Sequence, residues 1–80
     1  MEKEKILEEL NRLFKEVLDN DHIVLTYTSV AGDVAEWDSL SHIQLVVAIE
    51  KEFSIRFTSR EIQNWKNVGE LVDSIFAKAK

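Results

Sequence analysis

Residues 38–53, DSLSHIQLVVAIEKEF, carry the pattern from which the fold is read. Their apolar side chains return at helical intervals, and Asp38 or Ser39 can cap the helix at its start. A rotation of about 100° per residue from Leu40 puts Leu45, Val46, Ile49 and Phe53 on one stripe. Leu40, Ile43 and Val47 form a second stripe about 140° away. A helix at the edge of a small bundle buries one stripe. Either this helix is central and buries both, or Leu40, Ile43 and Val47 are an exposed docking face rimmed by Gln44, Glu50 and Lys51. Pattern alone leaves both readings open.

Outward from this helix the same period recurs. Ile6, Leu7, Leu10, Leu13, Phe14, Val17 and Leu18 predict a helix over 3–18, stopped by Asp19, Asn20 and Asp21. Thr58 with Glu61 has capping-box spacing and predicts a short helix to about Asn64. Asn67, with Glu70 three residues on, opens a last helix whose apolar face is Val68, Leu71, Val72, Ile75 and Phe76. Between the first two helices, residues 19–37 read as a long loop that tucks Ile23, Leu25 and Val30 into the core. The absence of proline and the presence of only 2 glycines leave too few turns for a sheet. The expected fold is all-α: a single four-helix domain over 1–80, with a long first loop and a short third helix.

Composition narrows the function. A chain of 80 residues has room for one core. Without cysteine there is no disulfide, thiolate nucleophile or cysteine zinc site. The net charge of -5 opposes nucleic-acid phosphates and favours basic protein surfaces. No apolar run is long enough to span a membrane, and the first residues do not resemble a signal peptide, so a cytoplasmic location is expected.

Ser39 has two readings. It can simply cap the helix, or it can carry a phosphate ester, which a helix N-terminus stabilises through free N–H groups and its positive dipole end. His42 stands three residues on, but the pair lacks a third orienting group and an oxyanion turn, so no catalytic dyad is assigned. His42 reads as a half-buried structural histidine, and His22 as a lone loop histidine. Asp33, Glu36 and Asp38 lack the ligand spacing of a calcium loop, and no metal site is expected. Trp37 and Trp65 read as core or lid residues.

The stretch from Asp38 to Phe53 closely resembles the acyl carrier protein motif, an Asp-Ser-Leu triplet opening a helix that ends in an acidic run and a phenylalanine. Ile55, Phe57, Glu61, Ile62, Val68, Gly69, Leu71, Val72 and Ile75 extend the resemblance. It implies that a phosphopantetheinyl transferase, using coenzyme A and magnesium, attaches 4'-phosphopantetheine to Ser39. The arm's thiol would then carry acyl groups as thioesters. It further implies that Asp38, Leu40, Ile43, Gln44, Val47 and Glu50 are partner-docking positions, and that the chain is a monomeric carrier rather than an enzyme. Some residues depart from the fatty-acid-synthesis pattern. Glu36 and Trp37 stand where a glycine commonly precedes the triplet, Gln44 replaces a usual glutamate, and Lys51 replaces an acidic residue. The Trp-Asp-Ser-Leu form of residues 37–40, with His42 three after the serine, resembles stand-alone carriers of specialised lipid, polyketide or related pathways, served by an acyl-activating ligase or acyltransferase. A housekeeping fatty-acid carrier, an aminoacyl or peptidyl carrier, and an unmodified adaptor binding through Leu40, Ile43 and Val47 are the alternatives.

Overall fold

The fold is taken from a computed structural model, in which residues 2–79 are described. Helix α1 spans Lys3–Leu18 and ends where Asp19 turns into the left-handed region at φ 52°, its N–H bonded to Lys15 O. Ile6, Leu10, Leu13 and Phe14 on its inner face are buried. On the outer face Arg12 pairs with Glu9 and Glu16, and reaches across to Glu52 of the next long helix at 2.9 Å.

The long loop is held by specific polar contacts. Asn11 of α1 accepts the Leu25 N–H at 2.7 Å and donates to the Leu25 carbonyl at 3.3 Å, pinning the strand-like segment against the bundle. Ile23 and Leu25 are buried, as the sequence predicts. Val30 is not: it is 38% exposed, and Val34 takes the core position at 8%. A single 3-10 turn, Ala31–Asp33, lies between them and reverses which side of the backbone faces inward.

Helix α2 runs Ser39–Phe53, α3 Ser59–Asn64 and α4 Val68–Lys78. Thr58 and Glu61 form the predicted capping box, and Asn67 caps α4 by accepting the Glu70 N–H. The next free N–H groups of α4 go to the loop instead: Val68 N–H donates to Ser29 O at 2.8 Å and Gly69 N–H to Tyr27 O at 2.7 Å. A Cβ on Gly69 would lie 2.7 Å from that same Tyr27 oxygen, so only glycine permits this approach. Leu45 and Ile49 of α2 join α1 and the α4 residues Val68, Leu71, Val72 and Ile75 in one core. Phe76, expected on the inner face of α4, is exposed instead and lies under the Lys3 ammonium at 5.2 Å. Among the described residues no helix is long and apolar enough to cross a membrane.

Candidate functional site

The N-terminus of α2 is built by Asp38 and Ser41. Asp38 Oδ1 accepts the N–H groups of Leu40 and Ser41, and Ser41 Oγ accepts the Asp38 N–H at 2.8 Å. Buried Ser41 also donates to Glu36 O at 2.8 Å, fastening the preceding loop to the helix. These bonds, the Ser41 backbone N–H foremost, hold the Asp38 carboxyl below its ordinary value. Ser39 is therefore not the cap. It occupies the first helical position, is exposed, and its hydroxyl has no hydrogen-bond partner among the described residues.

The two stripes of α2 separate as the exposed-face reading expects. Leu45, Val46 and Ile49 are buried and Phe53 half-buried, whereas Leu40 is 70%, Ile43 63% and Val47 45% exposed. Gln44 and Lys51 are exposed beside this second stripe. Glu50 is half-buried and turns its carboxylate to the Phe57 N–H at 2.8 Å, linking the end of α2 to the approach to α3. Val47, Glu50, Lys51 and Arg56 line a shallow depression at that end. The acidic cluster is dispersed among local bonds: Asp33 accepts from Val30 N–H, Glu36 from Asn20, and Asp38 from its own helix.

Beside Ser39 lies a cleft of about 350 Å³, walled by Trp37, His42, Ile62, Trp65, Lys66 and Leu71, with Asp38 and Ser39 on its border. The Trp37 Nε1–H donates to His42 Nδ1 at 3.0 Å, and the two rings stack with centroids 6.0 Å apart. His42 Nδ1 is thus the unprotonated nitrogen and Nε2 carries the hydrogen. Trp65 meets His42 edge-on at 6.1 Å and Phe57 edge-on at 4.7 Å, and its Nε1–H donates to Ser74 Oγ at 2.8 Å. Both indoles are half-buried, consistent with a lid over the core. The sequence gives no sign of this aromatic row, because Trp37 precedes α2 and Trp65 follows α3. Only the folded chain brings them to opposite sides of His42.

Comparison with known proteins agrees with the geometry. Residues 8–75 match the family model described as the phosphopantetheine attachment site. The acyl carrier protein of Coprothermobacter proteolyticus is 31% identical over 75 residues, covering 94% of this chain and 92% of its own. That of Acidothermus cellulolyticus is 35% identical over 75 residues, covering 94% and 89%. The solution NMR structure of a holo acyl carrier protein from Geobacter metallireducens superimposes with a TM-score of 0.85 at 44% identity, covering 90% of this chain and 83% of that one. An accessible serine at the head of a two-faced helix, in a chain matched over nearly its whole length, leads to one assignment: this chain belongs to the acyl carrier protein family, whose covalent prosthetic group is phosphopantetheine.

Proposed function

We propose that Ser39 is the attachment point of the 4'-phosphopantetheine arm and that the chain is a carrier without catalysis of its own. The observation that carries this is the division of labour at the head of α2. Asp38 and Ser41 satisfy the helix end, which leaves the Ser39 hydroxyl exposed and without a hydrogen-bond partner among the described residues. A phosphodiester on Ser39 Oγ would lie at the positive end of the α2 dipole, which favours negative charge. In attachment, Ser39 Oγ replaces the nucleotide portion of coenzyme A on the pantetheine-bearing phosphorus, and the hydroxyl proton leaves. The bound arm supplies a thiol for acyl thioesters, the sulfur that this cysteine-free chain lacks.

The exposed stripe of Leu40, Ile43 and Val47 is the surface offered to partner enzymes, with Asp38 and Gln44 on its border. These partners are the phosphopantetheinyl transferase and an acyl-activating ligase or acyltransferase of a specialised lipid, polyketide or related pathway. Lys51 and Arg56 beside Val47 make this surface less acidic than a housekeeping fatty-acid carrier would present. The test is intact mass before and after incubation with coenzyme A, magnesium and a broad-specificity phosphopantetheinyl transferase. One added arm, absent in Ser39→Ala, is the expected result. A folded chain that gains nothing, or a Ser39→Ala variant that still gains the arm, refutes the assignment.

A further inference from the structure

The cleft beside Ser39 has walls of a particular kind. Three rings, Trp37, His42 and Trp65, form a row, and edge-on contacts extend it to Phe14 at one end and Phe57 at the other. The row is held by polar bonds that a visitor need not break. The Trp37 N–H is satisfied by His42 and the Trp65 N–H by Ser74. The ring orientations are therefore set before any cargo arrives, which lowers the ordering cost of binding. Among the described residues His42 Nε2 has no partner, yet no buried side-chain nitrogen or oxygen there lacks one, so this N–H reaches solvent. Lys66 forms no ion pair among the described residues and stands on the same wall.

The cleft is also bounded. Behind Leu71, which is nearly fully buried, Ile6, Leu10, Val68, Val72 and Ile75 are completely closed to solvent. The cleft of about 350 Å³ is thus open to solvent on its outer side and backed by a closed core on its inner side. A long saturated chain that ran inward from the cleft would have to force apart this packed core. A flat ring fits within the cleft and meets Trp37, His42 and Trp65 in the edge-to-face or offset-stacked arrangements that aromatic pairs prefer.

We infer that this cleft shelters a short aromatic acyl group carried on the arm, and that Trp37, His42 and Trp65 select it over aliphatic cargo. The inference rests on Ser39 bearing the arm and specifies the substrate class of that same site. Lys66 and the His42 Nε2–H are placed to meet a polar substituent on the ring.

The experiment loads the full chain from 3-phenylpropanoyl-, nonanoyl- and hexadecanoyl-coenzyme A with a broad-specificity transferase; the first two are matched in heavy-atom number. Intact mass confirms loading, and Ser39→Ala serves as the blank. The rate of thioester cleavage by hydroxylamine is then measured for each, divided by the rate for the same acyl group on free coenzyme A. The expected result is that the phenylpropanoyl thioester is protected about two- to tenfold more than the nonanoyl one, the factor one aromatic pair supplies. Hexadecanoyl should be protected least. Trp65→Leu should remove the difference. Independently of any variant, nuclear Overhauser contacts should join the cargo ring to Trp65 and His42 in the unmutated chain. Equal protection of phenylpropanoyl and nonanoyl, best protection of hexadecanoyl, or a cargo ring without contacts to those two side chains overturns the aromatic preference. Failure to gain mass at Ser39 overturns the arm assignment itself, so the two failures are distinguishable.

Discussion

Replacement of Glu50 separates holding the fold from meeting a partner. Its carboxylate accepts the Phe57 N–H at 2.8 Å, while its backbone carbonyl accepts from Ser54 and Ile55 as the chain leaves α2. Ser54 stands there in the left-handed region at φ 55°, so the turn is a narrow one and both Glu50 contacts restrain it. Glu50→Ala removes a charge-assisted bond and strands an N–H that is only half-buried. Such bonds contribute about 1.5–3 kcal/mol, and partial hydration of the stranded group reduces the loss to about 1–2 kcal/mol. For a domain of this size that lowers Tm by about 5–15 °C. Glu50→Gln keeps an oxygen to accept the Phe57 N–H and should lose less than about 1 kcal/mol. The assay is thermal unfolding followed by far-ultraviolet circular dichroism, with kcat/KM for phosphopantetheinyl transfer measured well below either Tm. If the alanine variant melts within about 2 °C of the parent, the Glu50–Phe57 bond does not hold the turn, and the reasoning fails. If Gln is stable but transfers slowly, the Glu50 charge serves the partner as well as the fold.

Other perturbations follow from the same geometry. Val47→Glu should change stability by no more than about 0.5 kcal/mol, because Val47 is exposed, while slowing partner reactions more than about fivefold; a large fall in Tm would show a buried stripe. Gly69→Ala should destabilise by about 1–3 kcal/mol despite better helix propensity, since the new methyl meets the Tyr27 carbonyl at 2.7 Å; an unchanged or raised Tm in a thermal melt would refute this. Asp38, Glu61 and Glu9 are each held below their ordinary values, by the Ser41 N–H, the Thr58 N–H and Arg12 respectively. Their stabilisation is present above the unfolded carboxylate value of about 4 and is lost as pH falls through the lower folded values. Thermal melts should therefore give a Tm nearly constant from about pH 7 to 5 and falling below about pH 4; a Tm that rises on acidification would contradict the sign.

The parts of this fold that sequence reveals are those decided locally. The bounds of α1, the Thr58–Glu61 box and the Asn67 cap depend on residues within one turn of each other, and the structure places them as expected. The two stripes of α2 are also local, but whether the second is covered depends on other helices. Pattern could pose that question and only packing could answer it. Val30 and Val34 were exchanged because the intervening 3-10 turn is set by the Asp33 carboxylate on the Val30 N–H and by loop carbonyls tied to α4. Phe76 sits near the end of α4, where its inner neighbours already fill the core. The capping role was ambiguous between Asp38 and Ser39, since both residue types cap well. Ser41, three residues beyond Asp38, was the available sign, its hydroxyl reaching back to the Asp38 N–H.

Helix α3 differs from the rest of the bundle in burying none of its residues completely. It spans only 6 residues, too few to be stable as a helix by itself, and it contributes Ile62 to the wall of the cleft. Its opening therefore costs far less free energy than unfolding α1 or α4, whose inner faces form the closed core. The molecule thus combines a permanent frame with one inexpensive door. A group lying beside Ser39 would be released by fraying that single turn-and-a-half of helix, on a timescale set by local fluctuation, while the exposed stripe of Leu40, Ile43 and Val47 on α2 keeps its shape.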